Sequence, residues 1–288
     1  MSRARRGSRI ATERSAERLR AHWEIERELA DRLRRADRNQ RAELYGVVYD
    51  ELFRRVPDHP QNLWRQDEAS RRASAARQAH RLEGFLPAAG TFLEVGAGDC
   101  AMSFAMAARA GKVYAIEVSE EIASLGSAPE NFELVITDGR SVPVPPGSVD
   151  LVYSNQLMEH LHPDDAAEQL EQIFRALRPG GRYICLTPNR LLGPSDISMY
   201  FSSDEARGFH LREYDNRELR RLMSQAGFAS VGAIAKLRGH LTVVPLAPFT
   251  AAEAVFEALP APTRRRLKGR KLVMKLLSPG GGVIATKP

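Results

Sequence analysis

From residue 91 onward, short apolar runs alternate with helical stretches, and the junctions carry glycine, proline or an acid. Phe92, Leu93 and Val95 predict a buried strand, Gly96 and Gly98 a turn, and residues 101–109 a helix. VYAIE predicts a second strand ending in Glu117, FELVITD a third closing in Thr137 and Asp138, and residues 149–154 a fourth. A helix through Leu170 and Ile173 follows, then a turn at residues 179–181 and a fifth strand through Ile184 and Leu186. A sixth strand is expected at about 231–236 and a short antiparallel seventh in VIATKP, with two helices, 251–259 and 264–277, inserted between them. Strands alternating with helices in this order predict an α/β domain on a seven-stranded, mostly parallel, Rossmann-like sheet.

Upstream the period changes. Leu44, Val48 and Leu52 form one stripe at four-residue spacing and Tyr45, Tyr49 and Phe53 an adjacent one, so a helix here presents a broad apolar face that needs a partner. Pro57 and Pro60 break it, and RQDEASRRASAARQAHRLEGF resumes as a helix before the first strand. The chain thus divides into an N-terminal helical cap, residues 1–80, and a ligand-binding domain, residues 81–288. Residues 1–20, rich in Arg, Ser and Glu, are expected to fray or be disordered.

The first strand, turn and helix, TFLEVGAGDCAMSFAM, form a loop suited to a nucleotide: glycines allow close backbone approach and the helix amides point at the ligand. The turn alone does not separate a nicotinamide cofactor from S-adenosylmethionine, and Glu117, able to accept from both ribose hydroxyls, fits either. The order of the later segments separates them. With FELVITDGRSVPVPPGSVDLVYSNQLMEHL and LRPGGRYICLTPN in sequence, residues 91–228 resemble the class I S-adenosylmethionine-dependent methyltransferases, in particular the group holding the ubiquinone-biosynthesis and small-molecule O-methyltransferases.

The resemblance implies S-adenosyl-L-methionine as cofactor. It implies that Glu94 organises the loop and the methionyl amino end, that Gly96 and Gly98 pass under the cofactor, and that Glu117, with Val118 beside it, binds the ribose hydroxyls. Asp138 would accept from the adenine amino group next to Gly139, and Asn155 and Gln156 would line the face where methionine and acceptor meet. Asp99 and Cys100 stand where a third glycine often sits. In similar enzymes N-terminal helices cover the pocket, which makes the cap a lid lined by aromatics from Tyr45 to Phe53; the other reading is simple docking on the domain or a second subunit.

Methyl transfer needs an aligned acceptor and a base for its proton. MEHLH supplies Glu159, His160 and His162; GFHLREYDNREL supplies His210, Arg212, Glu213 and Tyr214. His160 and His210 are the candidate bases, His162 reads as a neighbour of a helix cap, and Arg212 as a partner of Glu213 or Asp215. In some relatives a carboxylate three residues before the Glu-His pair helps hold a divalent ion. Gln156 occupies that position here, so metal-independent transfer is expected, with convergence of Gln156, Glu159, His160 and His210 on a weakly held ion as the alternative.

The formal charge of +6 is unevenly spread: residues 1–41 carry 13 Arg against 7 acids, residues 264–288 carry 8 Lys or Arg and no acid, and residues 42–263 net −8. An acidic body is a poor match to a polyanion, so a small-molecule acceptor rather than nucleic acid is expected. RRRLKGRKLVMKLL reads as a solvated basic face or as a contact to an anionic membrane, and the insert holding it as an acceptor lid or a dimer contact. Two cysteines, Cys100 and Cys185, are too few for a disulfide framework, and neither a spanning segment nor a secretion signal is visible, so a soluble, cytoplasmic protein is expected, with a homodimer open. The function expected is O-methylation of a small-molecule hydroxyl, on a sugar or secondary metabolite. Alternatives are a protein that holds the cofactor without transfer, as a cyclase or scaffold, and a nicotinamide dehydrogenase.

Overall fold

In the computed structural model, which describes residues 14–119, 128–201, 203–237 and 240–288, the apolar runs assemble as one sheet. Its strands are β1 (Thr91–Val95), β2 (Lys112–Glu117), β3 (Phe132–Ile136), β4 (Val149–Asn155), β5 (Leu177–Leu186), β6 (Ser230–Leu237), β7 (His240–Pro245) and β8 (Gly282–Thr286), in the order β3-β2-β1-β4-β5-β8-β6-β7. The first five are parallel; β8 lies antiparallel between β5 and β6. The order reverses between β1 and β4, the place where open α/β sheets leave a crevice at their carboxyl ends.

Eight strands replace the expected seven. The additional one is β7: after β6 the chain folds back through TVVP and pairs with β6 from Gly232 to Leu237, because a β-branched run at a sheet edge gains a ladder of hydrogen bonds. The turn expected at 179–181 lies within β5 as an irregularity, where pairing jumps from Val149–Leu177 to Leu151–Arg182 and Gly180 takes φ 75°.

The helices before the sheet are α1 (Ala16–Arg35), α2 (Arg38–Arg55), α3 (Pro60–Gln66) and α4 (Glu68–Leu82). Residues 16–20, expected to fray, are helical, started by the Ser15 hydroxyl accepting from Arg18 N; residues 1–13 lie outside the described residues. Within and after the sheet come α5 (Ala101–Ala107), α6 (Pro163–Ala176), α7 (Asn216–Gln225), α8 (Ala247–Ala258), α9 (Ala261–Lys268) and α10 (Lys271–Leu277), so the insert holds three helices, not two. Gly269 ends α9, and the chain restarts at Lys271.

Alternation along the strands feeds two layers. Leu93, Val95, Val152, Tyr183 and Cys185 face one side, against Leu29, Leu33, Tyr45, Val48 and Leu52 of the cap and Leu170 and Ile173 of α6. Phe92, Leu151, Tyr153 and Ile184 face the other, against Ala79, Leu82, Met102 and Met106. The cap therefore shares a core with the sheet; each of these leucines, fully buried, stabilises by about 1.5–3 kcal/mol.

Candidate active site

The crevice is shaped by the turn after β1. Gly96 and Gly98 have φ of 71° and 56°, and a Cβ on Gly96 would meet Leu157 at 2.9 Å, so only glycine fits that position without a shift. Glu117, ending β2, accepts from Gly98 N through one carboxylate oxygen and from Val118 N through the other, each at 2.7 Å. Glu117 thereby fixes the turn after β1 to the end of β2. Glu94 is buried beneath the turn, where burial raises its carboxyl to about 8 despite the hydrogen bond it accepts from Ser103 Oγ at 2.6 Å.

Helix α2 closes over these loops. Gly46 brings it so near that a Cβ there would stand 2.9 Å from the Val118 carbonyl oxygen, Tyr45 packs against Gly139, and Ser119 Oγ donates to Asp50 at 3.3 Å. Tyr45 also donates to Asp165, which Arg41 holds through two hydrogen bonds of 2.6 and 2.8 Å. Asp138 caps the turn after β3, accepting from Ser141 N and Arg140; burial opposes ionisation there, but these hydrogen bonds lower its carboxyl to about 2.

A second group gathers at the ends of β4 and β5. Glu159 and His160 lie in a 3-10 turn, Met158–His160, rather than opening α6, whose N-cap is His162. His160 and His210 stack edge to face with centroids 4.8 Å apart, and Tyr49 of α2 approaches His160 at 6.0 Å and Phe209 at 4.8 Å. His160 Nδ1 donates to the Phe209 carbonyl at 3.0 Å, and His210 Nδ1 donates to Glu213 at 2.7 Å, so Nε2 is the free nitrogen of each ring. Burial, aided by the charge of His210, depresses His160 to about 3 and keeps it neutral. Burial also opposes charge on His210, but the Glu213 hydrogen bond and the Glu159 charge prevail and raise it to about 8. Burial raises Glu159 to about 7; one of its oxygens accepts from Thr187 Oγ1 at 2.9 Å, while Oε1, wholly buried, has no hydrogen-bond partner among the described residues. Arg212, expected to pair with Glu213 or Asp215, reaches past both to Glu218 at 2.7 Å, because Glu213 is taken by His210 and Ser195 N and Asp215 by Arg190 and Arg217.

Residues 93–185 match the family described as a methyltransferase domain. The chain carries a class I S-adenosylmethionine-dependent methyltransferase domain. A Mycolicibacterium smegmatis protein named a probable S-adenosylmethionine-dependent methyltransferase is 31% identical over 154 residues, covering 53% of this chain and 55% of that protein. A Mycobacterium tuberculosis protein of the same description is 30% identical over 149 residues, covering 51% of this chain and 52% of its own. Malonyl-(acyl-carrier protein) O-methyltransferase of Xylella fastidiosa is 31% identical over 115 residues, 36% of either chain. The chain thus spans about half the length of the first two relatives, at 55% and 52%. A chain from the solved complex between the Haloferax volcanii Trm112 methyltransferase activator and a methyltransferase superposes with a TM-score of 0.50 at 18% identity, over 77% of this chain and 94% of that one, a likeness of fold.

The cofactor of this methyltransferase domain is S-adenosylmethionine, and the cradle fits it: two left-handed glycines, a carboxylate at the end of β2 that holds the loop amides, and a helix covering the loops. Glu94, Gly96 and Gly98 lie at the end of β1 and in the turn after it, Glu117 and Val118 at the end of β2, and Asp138 and Gly139 just after β3; Asn155 ends β4, and exposed Gln156, at φ 57°, turns the chain toward Glu159.

Among the described residues, two groups have ligand atoms within 4.8 Å of one another: Glu159, His160 and His210, and His22, Glu26 and His59. The second was not singled out in the sequence, although His22 and Glu26 have helical i, i+4 spacing. There Arg14 donates to His22 Nδ1 at 2.9 Å and Gln61 N to His59 Nδ1 at 3.2 Å, which leaves the protons on Nε2, facing Glu26. A ligating imidazole needs that nitrogen bare, so this cluster is a latch: Glu26 accepts from His22 at 2.7 Å and from Phe209 N at 3.0 Å, tying α1 to the loop that carries His210. Burial opposes the Glu26 charge, but the two histidines hold it well below the usual carboxylate range.

Proposed function

We propose that this protein transfers the methyl group of S-adenosylmethionine to a hydroxyl of a small molecule, a sugar or secondary metabolite, without a metal ion. The observation carrying this reading is the unpartnered, buried Oε1 of Glu159 beside the Nε2 atoms of His160 and His210, a polar lining that accepts a hydroxyl proton once His210 is neutral. Bound cofactor supplies a sulfonium methyl with a good leaving group. His210 Nε2, aimed by Glu213, takes the acceptor proton as oxygen bonds to the methyl carbon and the carbon–sulfur bond breaks. His160 stays neutral and accepts a hydrogen bond from a neighbouring hydroxyl of the acceptor, and Tyr49 and Phe209 exclude water. The roles proposed for the crevice residues are those implied by the resemblance, with Glu117 on the ribose, Asp138 on the adenine amino group, and Asn155 and Gln156 near the methionine. Residues 1–80 act as the cap and 81–288 as the catalytic domain. The O-methyltransferase among the relatives supports oxygen as the nucleophile.

Isotope transfer from labelled S-adenosylmethionine to panels of small alcohols, amines and carboxylic acids tests the reading. Labelling confined to alcohols is expected, unchanged by a chelator; labelling of amines alone would discard it. Loss with chelator and recovery with a divalent ion would place that ion on Glu159, His160 and His210.

A further inference from the structure

Helix α10 is built unlike the others. It buries Leu277 and half-buries Val273, yet Leu272 is 69% exposed, Met274 48% and Leu276 46%. Leu272 and Leu276 are four residues apart and share a helix face. Around them stand the exposed cations Lys271 and Lys275, with Arg266 and Arg270 just before. Acids near this segment are already neutralised: Asp204 pairs with Arg265, and Glu257 with Arg190 and Arg217. Among the described residues, none of Arg266, Arg270, Lys271 and Lys275 forms an ion pair.

We propose that the face 266–276 docks on an anionic lipid bilayer. Large aliphatic side chains held in water beside unpaired cations are unfavourable on a free surface, while at a bilayer interface the aliphatic groups enter the acyl boundary and the cations meet lipid phosphates. Charge selects this occupant. A second copy packed on the same face would bring Arg266, Arg270, Lys271 and Lys275 against the same four cations. A nucleic acid would find no aromatic platform among the exposed side chains of this face to reward burying leucine and methionine. The docking is oriented. Lys268 Nζ donates to the Gly193 carbonyl at 2.7 Å, Asn189 and Asn216 donate to the Leu277 carbonyl, and Ser195 N binds Glu213, so α9 and α10 sit rigidly beside the loops that carry Glu213 and His210.

Flotation of the full chain with vesicles of phosphatidylcholine alone, or of phosphatidylcholine with phosphatidylglycerol, reads this directly. Binding to the anionic vesicles only, weakening with salt, is expected, and Leu272→Ser/Leu276→Ser and Lys271→Glu/Lys275→Glu should each reduce it about tenfold or more without altering thermal unfolding, since all four side chains are exposed. No binding to anionic vesicles at low salt, or equal binding by both double variants, would overturn the proposal. So would a concentration-dependent dimer that either variant abolishes.

Discussion

In the proposed reaction His210 is a base that a neighbour has tuned. Its neutral form accepts the proton, and it is raised to about 8, so turnover should climb as pH rises through about 8. Glu213→Gln removes the carboxylate that raises it and should move that rise to lower pH, whereas a purely structural Glu213 would leave the profile in place. The sign for stability is opposite: a raised histidine contributes fully below its unfolded value of 6.5 and loses that contribution as pH rises through about 8. His210→Ala should lower kcat by about 10²–10⁴ with cofactor affinity kept. Glu117→Ala should weaken S-adenosylmethionine by about 1.5–3 kcal/mol in calorimetry, since hydrogen bonds to a charged group are lost and Gly98 loses its anchor; unchanged affinity would refute the ribose assignment. The histidines were legible as types in the sequence, but Glu213 reads there as a partner for Arg212. Which acid faces which base depends on a loop conformation that spacing does not encode.

At the level of elements, α2 and α1 clamp the two halves of the site. Gly46 tests the first. Alanine inside a helix gains about 1 kcal/mol over glycine by propensity, yet here its Cβ would stand 2.9 Å from the Val118 oxygen. Gly46→Ala should therefore lift α2 and weaken cofactor binding; a rise in Tm with affinity intact would show that the contact is soft. Glu26→Gln tests the second. Without its charge the histidine latch loosens, and amide exchange at Phe209 and its neighbours should quicken while that of β1 and β4 stays unchanged. The broad apolar face of residues 44–53 announced that this helix must dock, and the turn residues announced most strand limits. Where it docks was not legible, because stripes at helical spacing specify burial without naming the surface that buries them.

For the whole molecule, the shared core makes cap and sheet one cooperative unit. Leu29, Leu33, Val48 and Leu52 lie in the same cluster as Leu93, Val95 and Val152, so Trp23 of α1, stacked on Phe201 at 4.6 Å, should report the same transition as far-ultraviolet circular dichroism. A separate earlier tryptophan transition would make the cap an independent layer. No helix among the described residues is long and apolar enough to cross a membrane. The succession of strands along the chain and the glycine placement belong to the sequence alone: a buried β1, Gly96 and Gly98 where φ turns positive, and an acid ending β2 follow from local propensity and pattern, which act between near neighbours in the chain. The eighth strand, the Glu26 latch and the meeting of Glu159, His160 and His210 were decided only in three dimensions. Each joins segments whose attraction exists once burial removes water and leaves polar groups no other partner.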